Sequence, residues 1–220
     1  MYERFFKRVF DIVLALITLA LALPFMALIT VIVRVTMGEP IIFAQDRPGK
    51  DGKLFKLYKF RTMTNKKDEY GRLLPDEERL TKTGAFLRKT SLDELPELIN
   101  ILIGDMSFVG PRPQLIKDMV FFTPEIMRRQ RVTPGLTGLA QIKGRNDISW
   151  ERKFELDMEY ISEITFLRDL KILFLTFAAV FSARGVSTQG MATAEDYGDY
   201  LLRTGKISEE EYEEKMSKLK

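Results

Sequence analysis

Asp93 and Glu94 are adjacent acids in Ser91-Leu92-Asp93-Glu94-Leu95, just after the basic pair Arg88-Lys89, and the 220-residue chain holds no histidine or cysteine. The commonest general base and the softest nucleophile are therefore missing. Chemistry must run on carboxylates, lysines, arginines, hydroxyls or a bound ion. Disulfides and thiolate zinc sites are excluded, whereas a hard, oxygen-liganded ion such as Mg²⁺ is not. A carboxylate can attack phosphorus and form an acyl phosphate, dividing one displacement into two. A neighbouring carboxylate can hold Mg²⁺ against the phosphate oxygens, and arginines can stabilise the developing charge. Arg88 is close in sequence, while Lys59, Arg61, Arg112 and Arg145 stand at turn-rich or strand-end positions. Arg112 lies between Pro111 and Pro113, which hold the chain extended and limit the entropy lost on ligand contact.

A structural account competes with this one. Ser91 and Glu94 have the spacing of a helix-capping box, and acids in a first turn suit the helix dipole. Pro96 fits that account if the helix starts near Asp93, so that the proline falls within the first turn. Each basic residue taken alone reads as a solvated surface charge; together, in a Gly/Pro-rich frame, they read as a pocket for a diphosphate.

Something must hold these residues. With 45% hydrophobic and 30% charged residues the chain is a folded protein, long enough for one compact domain and an appendage. Its net charge of +3 favours an anionic partner without choosing one. Residues 12–33 form an apolar stretch broken only by Thr18, Pro24 and Thr30. As a helix it would be roughly 33 Å long, enough to cross a bilayer core. A plain transmembrane helix is one reading. Pro24 near its midpoint and basic residues on both flanks (Arg4, Lys7, Arg8; Arg34, Arg47, Lys50) favour a re-entrant hairpin whose ends emerge on one face. Asp11 reads as an interfacial or capping residue.

Beyond it, residues 40–63 read as a β-hairpin, with strands at 41–43 and 54–60 separated by Pro48-Gly49 and Asp51-Gly52 turn signals. Residues 65–78 read as a surface loop, and 80–89, 92–103 and 114–131 as helices. Trp150, Phe154, Met158 and Ile161 fall at helical spacing. Residues 166–181, with Phe174, Phe177 and Phe181 on one stripe and Arg168, Lys171 and Arg184 around them, read as a core helix or one lying in the lipid interface. The Glu-rich stretch from 197 to 220 is a helical tail and a candidate for self-association as a homodimer. The fold class is thus α+β and mostly helical, with a membrane segment at 1–36, a catalytic domain at 37–190 and a polar tail at 191–220. A membrane-anchored interaction protein remains an alternative to an enzyme. Nucleic-acid binding is disfavoured, because the basic residues are dispersed without interleaved aromatics.

The motifs resemble one family. Lys7-Arg8-Val9-Phe10-Asp11, Arg47-Pro48-Gly49, Lys59-Phe60-Arg61-Thr62-Met63, Leu87-Arg88 with Ser91 to Leu95, residues 104–113, Pro134-Gly135-Leu136-Thr137-Gly138 and Gly144-Arg145-Asn146 occur in the order of the bacterial sugar transferases. These are the small monotopic phosphoglycosyl transferases. The resemblance implies transfer of a sugar-1-phosphate from a UDP-sugar to polyprenol (undecaprenyl) phosphate with release of UMP. Asp93 would be the nucleophile and Glu94 a Mg²⁺ ligand. Arg88, Arg112 and Arg145 would contact phosphate or nucleotide, as would Lys59. It also implies the cytoplasmic face of a bacterial inner membrane and a re-entrant helix broken at Pro24. One departure concerns that break: many members carry Ser-Pro there, whereas Leu23 precedes Pro24 in this chain, leaving the bend one fewer local partner.

Overall fold

The computed structural model describes residues 2–144, 148–181 and 195–219. A π-helical turn, Tyr2–Phe6, leads into α1, Lys7–Met37. Its isoleucines, leucines and valines propagate one helix through Pro24, which lies inside the element without dividing it. By length and composition α1 is the one helix among the described residues able to cross a membrane. Its buried residues Asp11, Ala15, Ala22, Ile29, Val33 and Met37 recur at helical spacing along one face. Leu21, Leu23, Phe25, Leu28 and Val35 are exposed on the rest. Ala15 packs with Ile101 and Phe108, while Ile29, Val33 and Met37 pack with Phe60 and Leu87.

The hairpin forms from β1, Ile42–Pro48, and β2, Leu54–Phe60, antiparallel in a register from Ile42 opposite Phe60 to Pro48 opposite Leu54. Asp51 and Gly52 turn the chain at positive φ, 55° and 75°, as an Asp-Gly pair readily does. The first strand is longer than the three apolar residues that announced it. Pairing with β2 carries it through the polar run Gln45-Asp46-Arg47. Short α2, Asp76–Arg79, and α3, Lys82–Thr90, follow. Next come α4, Glu97–Ile103, and β3, Ser107–Val109. The expected helix at 114–131 is three short pieces: α5, Ile116–Met119, α6, Pro124–Met127, and a 3-10 turn, Arg128–Arg131. Thr123 caps α6 and Pro124 begins it, which ends any continuous helix there.

Strand β4, Gly135–Thr137, pairs parallel with β3, a pairing the sequence did not signal. The backbones approach so closely that a Cβ on Gly135 would lie 2.1 Å from the Gly110 nitrogen. After α7, Leu139–Lys143, come α8, Trp150–Ser162, and α9, Phe166–Phe181, then the tail helices α10, Tyr197–Arg203, and α11, Glu209–Ser217. Tyr160 of α8 donates to Asp169 Oδ1 at 2.8 Å, and Lys7 and Tyr2 donate to Asp169 Oδ2 at 2.5 and 2.8 Å. That buried carboxylate ties the start of α1 to α8 and α9. Ile172 of α9 faces the core, whereas Leu167 and Phe174 leave an apolar face uncovered. The tail docks on the body: Tyr197 and Leu201 join Phe121, Trp150 and Phe154 in an aromatic cluster.

Candidate active site

Helix α3 ends at Thr90, and Ser91 reverses the chain in the left-handed region at φ 56°. A 3-10 turn, Leu92–Glu94, follows, and α4 begins only at Glu97, with Pro96 at its N-cap. Ser91 makes no side-chain cap on this turn, so the capping box allowed by the spacing does not form. The Glu94 side chain goes elsewhere: its Oε1 accepts from Lys59 Nζ at 2.7 Å and from Arg112 Nη2. Lys59 arrives from the end of β2 and Arg112 from the turn after β3. The β3–β4 pair holds that turn, with Gly110 N donating to Thr137 O and Gly135 N to Pro111 O at 2.9 and 3.0 Å.

The two adjacent acids differ electrically. Burial alone would raise the Glu94 pKa, but Arg112 and Lys59 outweigh it and hold the carboxyl well below the usual range. Asp93 is buried. Burial first, then the charge of Glu94, push its pKa up against the pull of Lys59, Arg88 and Arg112. Among the described residues no hydrogen bond is made to its carboxylate. Glu94 is thus a neutralised anchor, while Asp93 is a more basic carboxylate with its oxygens uncommitted. Environments that push two neighbouring acids apart in this way assign them different roles.

Arg88 reaches Thr62, its Nε donating to Oγ1 at 3.0 Å, and feels the Asp93 charge. The structure therefore brings Asp93, Glu94, Lys59, Arg88 and Arg112 together. Arg61 does not join them; its guanidinium donates to Met63 O at 2.6 Å and Glu39 O at 2.5 Å, a structural role. Asp11 is also structural, its Oδ1 accepting from Phe108 N at 3.0 Å. Arg145 and the neighbouring Asn146, and Arg184, lie outside the described residues. Pro24 sits within α1, in the apolar segment.

Two further residues belong to the site. Glu97 is 1% exposed and stands 3.2 Å from Lys59 Nζ, so one ammonium serves two carboxylates. Burial pushes the Glu97 pKa up to about 7, opposed by Lys59 and reinforced by Glu94. Its spacing, one helical turn after Asp93 and Glu94, was the available signal. Buried Arg129 donates to Asp157 Oδ2 at 3.0 and 2.8 Å and to the Arg112 carbonyl at 2.6 Å, fixing the Arg112 backbone. Within Arg128-Arg129-Gln130-Arg131 nothing in the sequence singles it out.

Among the described residues no three acids converge as a metal cage. The donors present suit a hard ion that keeps most of its shell from water and a bound diphosphate. The uncommitted Asp93 carboxylate and the second oxygen of Glu94 are the available protein ligands, because Glu94 Oε1 already accepts from two cations.

Residues 2–183 match the model of the family described as bacterial sugar transferase. The chain is 50% identical over 191 residues to the "Uncharacterized sugar transferase EpsL" of Bacillus subtilis, covering 87% of this chain and 95% of that protein. It is 39% identical over 196 residues to the "Exopolysaccharide production protein ExoY" of Rhizobium meliloti, covering 81% and 87%. To the "UDP-glucose:undecaprenyl-phosphate glucose-1-phosphate transferase" of Escherichia coli it is 43% identical over 184 residues, 79% of this chain and 40% of the longer relative. The "Undecaprenyl-phosphate galactose phosphotransferase" of Salmonella typhimurium is 38% identical over 201 residues, 83% of this chain and 42% of that protein.

Proposed function

Because this chain belongs to the bacterial sugar transferase family and is a phosphoglycosyl transferase, we propose that it moves a sugar-1-phosphate from a UDP-sugar to undecaprenyl phosphate through a covalent aspartate intermediate. The observation that carries the reading is the asymmetry of the dyad. Asp93 is buried, basic for its type and free of hydrogen bonds among the described residues, beside a Glu94 held anionic by Lys59 and Arg112.

An Asp93 carboxylate oxygen attacks the sugar-bearing phosphorus, and the bond from that phosphorus to the bridging oxygen breaks with its electron pair leaving on UMP. Lys59, Arg88 and Arg112 face the charge that develops on the departing phosphate. In the second step an oxygen of the lipid phosphate attacks the same phosphorus. The aspartyl bond breaks, the carboxylate is regenerated, and the sugar diphospholipid departs. No proton need move at the dyad in either step, which suits a site without histidine. Glu94, with Asp93, would hold Mg²⁺, whose charge would offset that of the transferred phosphate.

The same reading places the chain in a bacterial inner membrane, active at the cytoplasmic face, with α1 dipping in rather than crossing. Support comes from the packing: residues near both ends of α1 touch one body, Asp11 through Phe108 and Met37 through the Phe60–Leu87 cluster. A spanning helix would carry its two ends to opposite sides of the bilayer. Asp93→Asn should lower UMP release from a UDP-sugar by at least about a thousandfold. It should also abolish the sugar-phosphate mass increment seen on the intact protein when the lipid acceptor is withheld; retained turnover would remove Asp93 as nucleophile.

A further inference from the structure

Beside the dyad lies a cavity of about 300 Å³, at the small end of ligand-binding clefts. Lys59, Arg112 and Glu97 line it where it adjoins Glu94; Gln114, Trp150 and the tail residues Glu195 and Asp196 line it elsewhere. Resting on the transferase reading, we infer that this cavity holds the sugar of the donor and that the C-terminal segment supplies the wall that selects it.

Three observations carry this. The first is chemical order. The reacting phosphorus bears the sugar directly, so the sugar would lie against the cations that face that phosphate, and Lys59 and Arg112 line this cavity. The wall carries both signs of charge, Arg47, Lys59 and Arg112 against Glu97, Asp118, Glu195 and Asp196, so it offers the second phosphate of the nucleotide end no net attraction. A neutral polyhydroxylated ring can hydrogen-bond to groups of either sign. Carboxylates accept hydrogen bonds from its hydroxyls, Gln114 can donate and accept, and Trp150 offers an apolar surface.

The second is that the wall is built rather than draped. Arg203 grips Glu195 with Nε and Nη2 at 2.7 and 2.8 Å. Asp196 pairs with Lys117, and Tyr197 N donates to Asp118 Oδ1 at 2.9 Å. The Tyr197 ring lies 5.3 Å from that of Trp150. These contacts seat the tail against the cavity.

The third is where the wall comes from. The match to the family ends at residue 183, so Glu195 and Asp196 lie outside the stretch that defines the shared chemistry. Relatives sharing that stretch are named for glucose and for galactose transfer. A selector located beyond the shared stretch can differ among members that keep one reaction.

The test uses the full chain in lipid nanodiscs with undecaprenyl phosphate. UMP release is measured with UDP-glucose, UDP-galactose, UDP-N-acetylglucosamine and UDP-glucuronate, and product inhibition with UMP alone. Absence of turnover by the unmodified chain on every donor would count against the transferase reading itself, before any variant is made. Given turnover, Glu195→Gln should raise KM for the best neutral donor about tenfold and raise the relative rate on UDP-glucuronate. Inhibition by UMP, which lacks the sugar, should stay within twofold. Glu210→Gln, on the exposed face of α11, should change neither. Gln114→Leu, inside the family-matched stretch, should alter the donor ranking independently of the fold of the tail. An unchanged ranking in both cavity variants, or UMP inhibition weakening in step with KM, would overturn the inference.

Discussion

At the residue scale, one lysine organises three acids. Lys59 Nζ sits 2.7 Å from Glu94 and 3.2 Å from Glu97, and its charge also reaches Asp93. Removing it would leave buried carboxylates without compensation, a change that typically costs several kcal/mol. The raised pKa of Glu97 has a stability consequence. Its folded value of about 7 lies above its ordinary value of 4.5, so the folded state binds the proton more tightly than the unfolded chain. Stability from this group is therefore fully present below about pH 4.5 and is lost as pH rises through about 7. Glu97→Gln, which stays neutral, should gain in melting temperature relative to the parent as pH goes from 5 to 8. The difference should correspond to at most about 3 kcal/mol, and equal shifts for both proteins across that range would show that Glu97 does not titrate in the fold.

At the element scale, the dyad depends on how α3 meets β2. Gly84 lets the helix lie on the strand end: a Cβ there would fall 1.8 Å from the Thr62 carbonyl oxygen. The same Thr62 receives Arg88 through its hydroxyl, and the end of α3 sets the left-handed turn at Ser91 that delivers Asp93. Gly84→Ala must push backbone from backbone, moving Arg88 and the 3-10 turn together. It should reduce the UMP release rate more than tenfold in protein that still inserts in membranes, because misplacement by about 1 Å can cost a hundredfold. Wild-type rates would show that the contact yields without disturbing the site. The β3–β4 pair acts similarly from the other side: it holds the Arg112 turn while Arg129 fixes the Arg112 carbonyl.

At the scale of the whole molecule, α1 is both anchor and scaffold. Most of its exposed residues are apolar, yet Arg8 donates to the carbonyls of Ile101 and Leu102 at the end of α4, and Met37, the last residue of α1, packs with Phe60 and Leu87. The helix that carries the apolar surface is thereby packed against α4, which follows the Asp93–Glu94 turn. The chain lacks cysteine, so single cysteines at positions 3 and 36 report topology without background. Both should react with a membrane-impermeant maleimide from the same side of sealed vesicles; labelling from opposite sides would establish a span.

Residue order alone narrowed the chemistry, because the absence of histidine and cysteine is a fact of composition, and its ordered motifs carried the family. It also marked the hairpin turn, the apolar segment and helices α8 and α9, whose periodicity is written within single elements. It left Glu94 open between cap and site, since both demand an acid at that spacing. Only the tertiary structure decided it, by bringing Lys59 and Arg112 from 35 and 18 residues away onto one oxygen. The same reason hid the β3–β4 pair, Arg129 and the wall made by the tail. Each is defined by a partner distant in sequence, and no local pattern of side chains encodes the distance between two strands or the charge that a buried acid will meet.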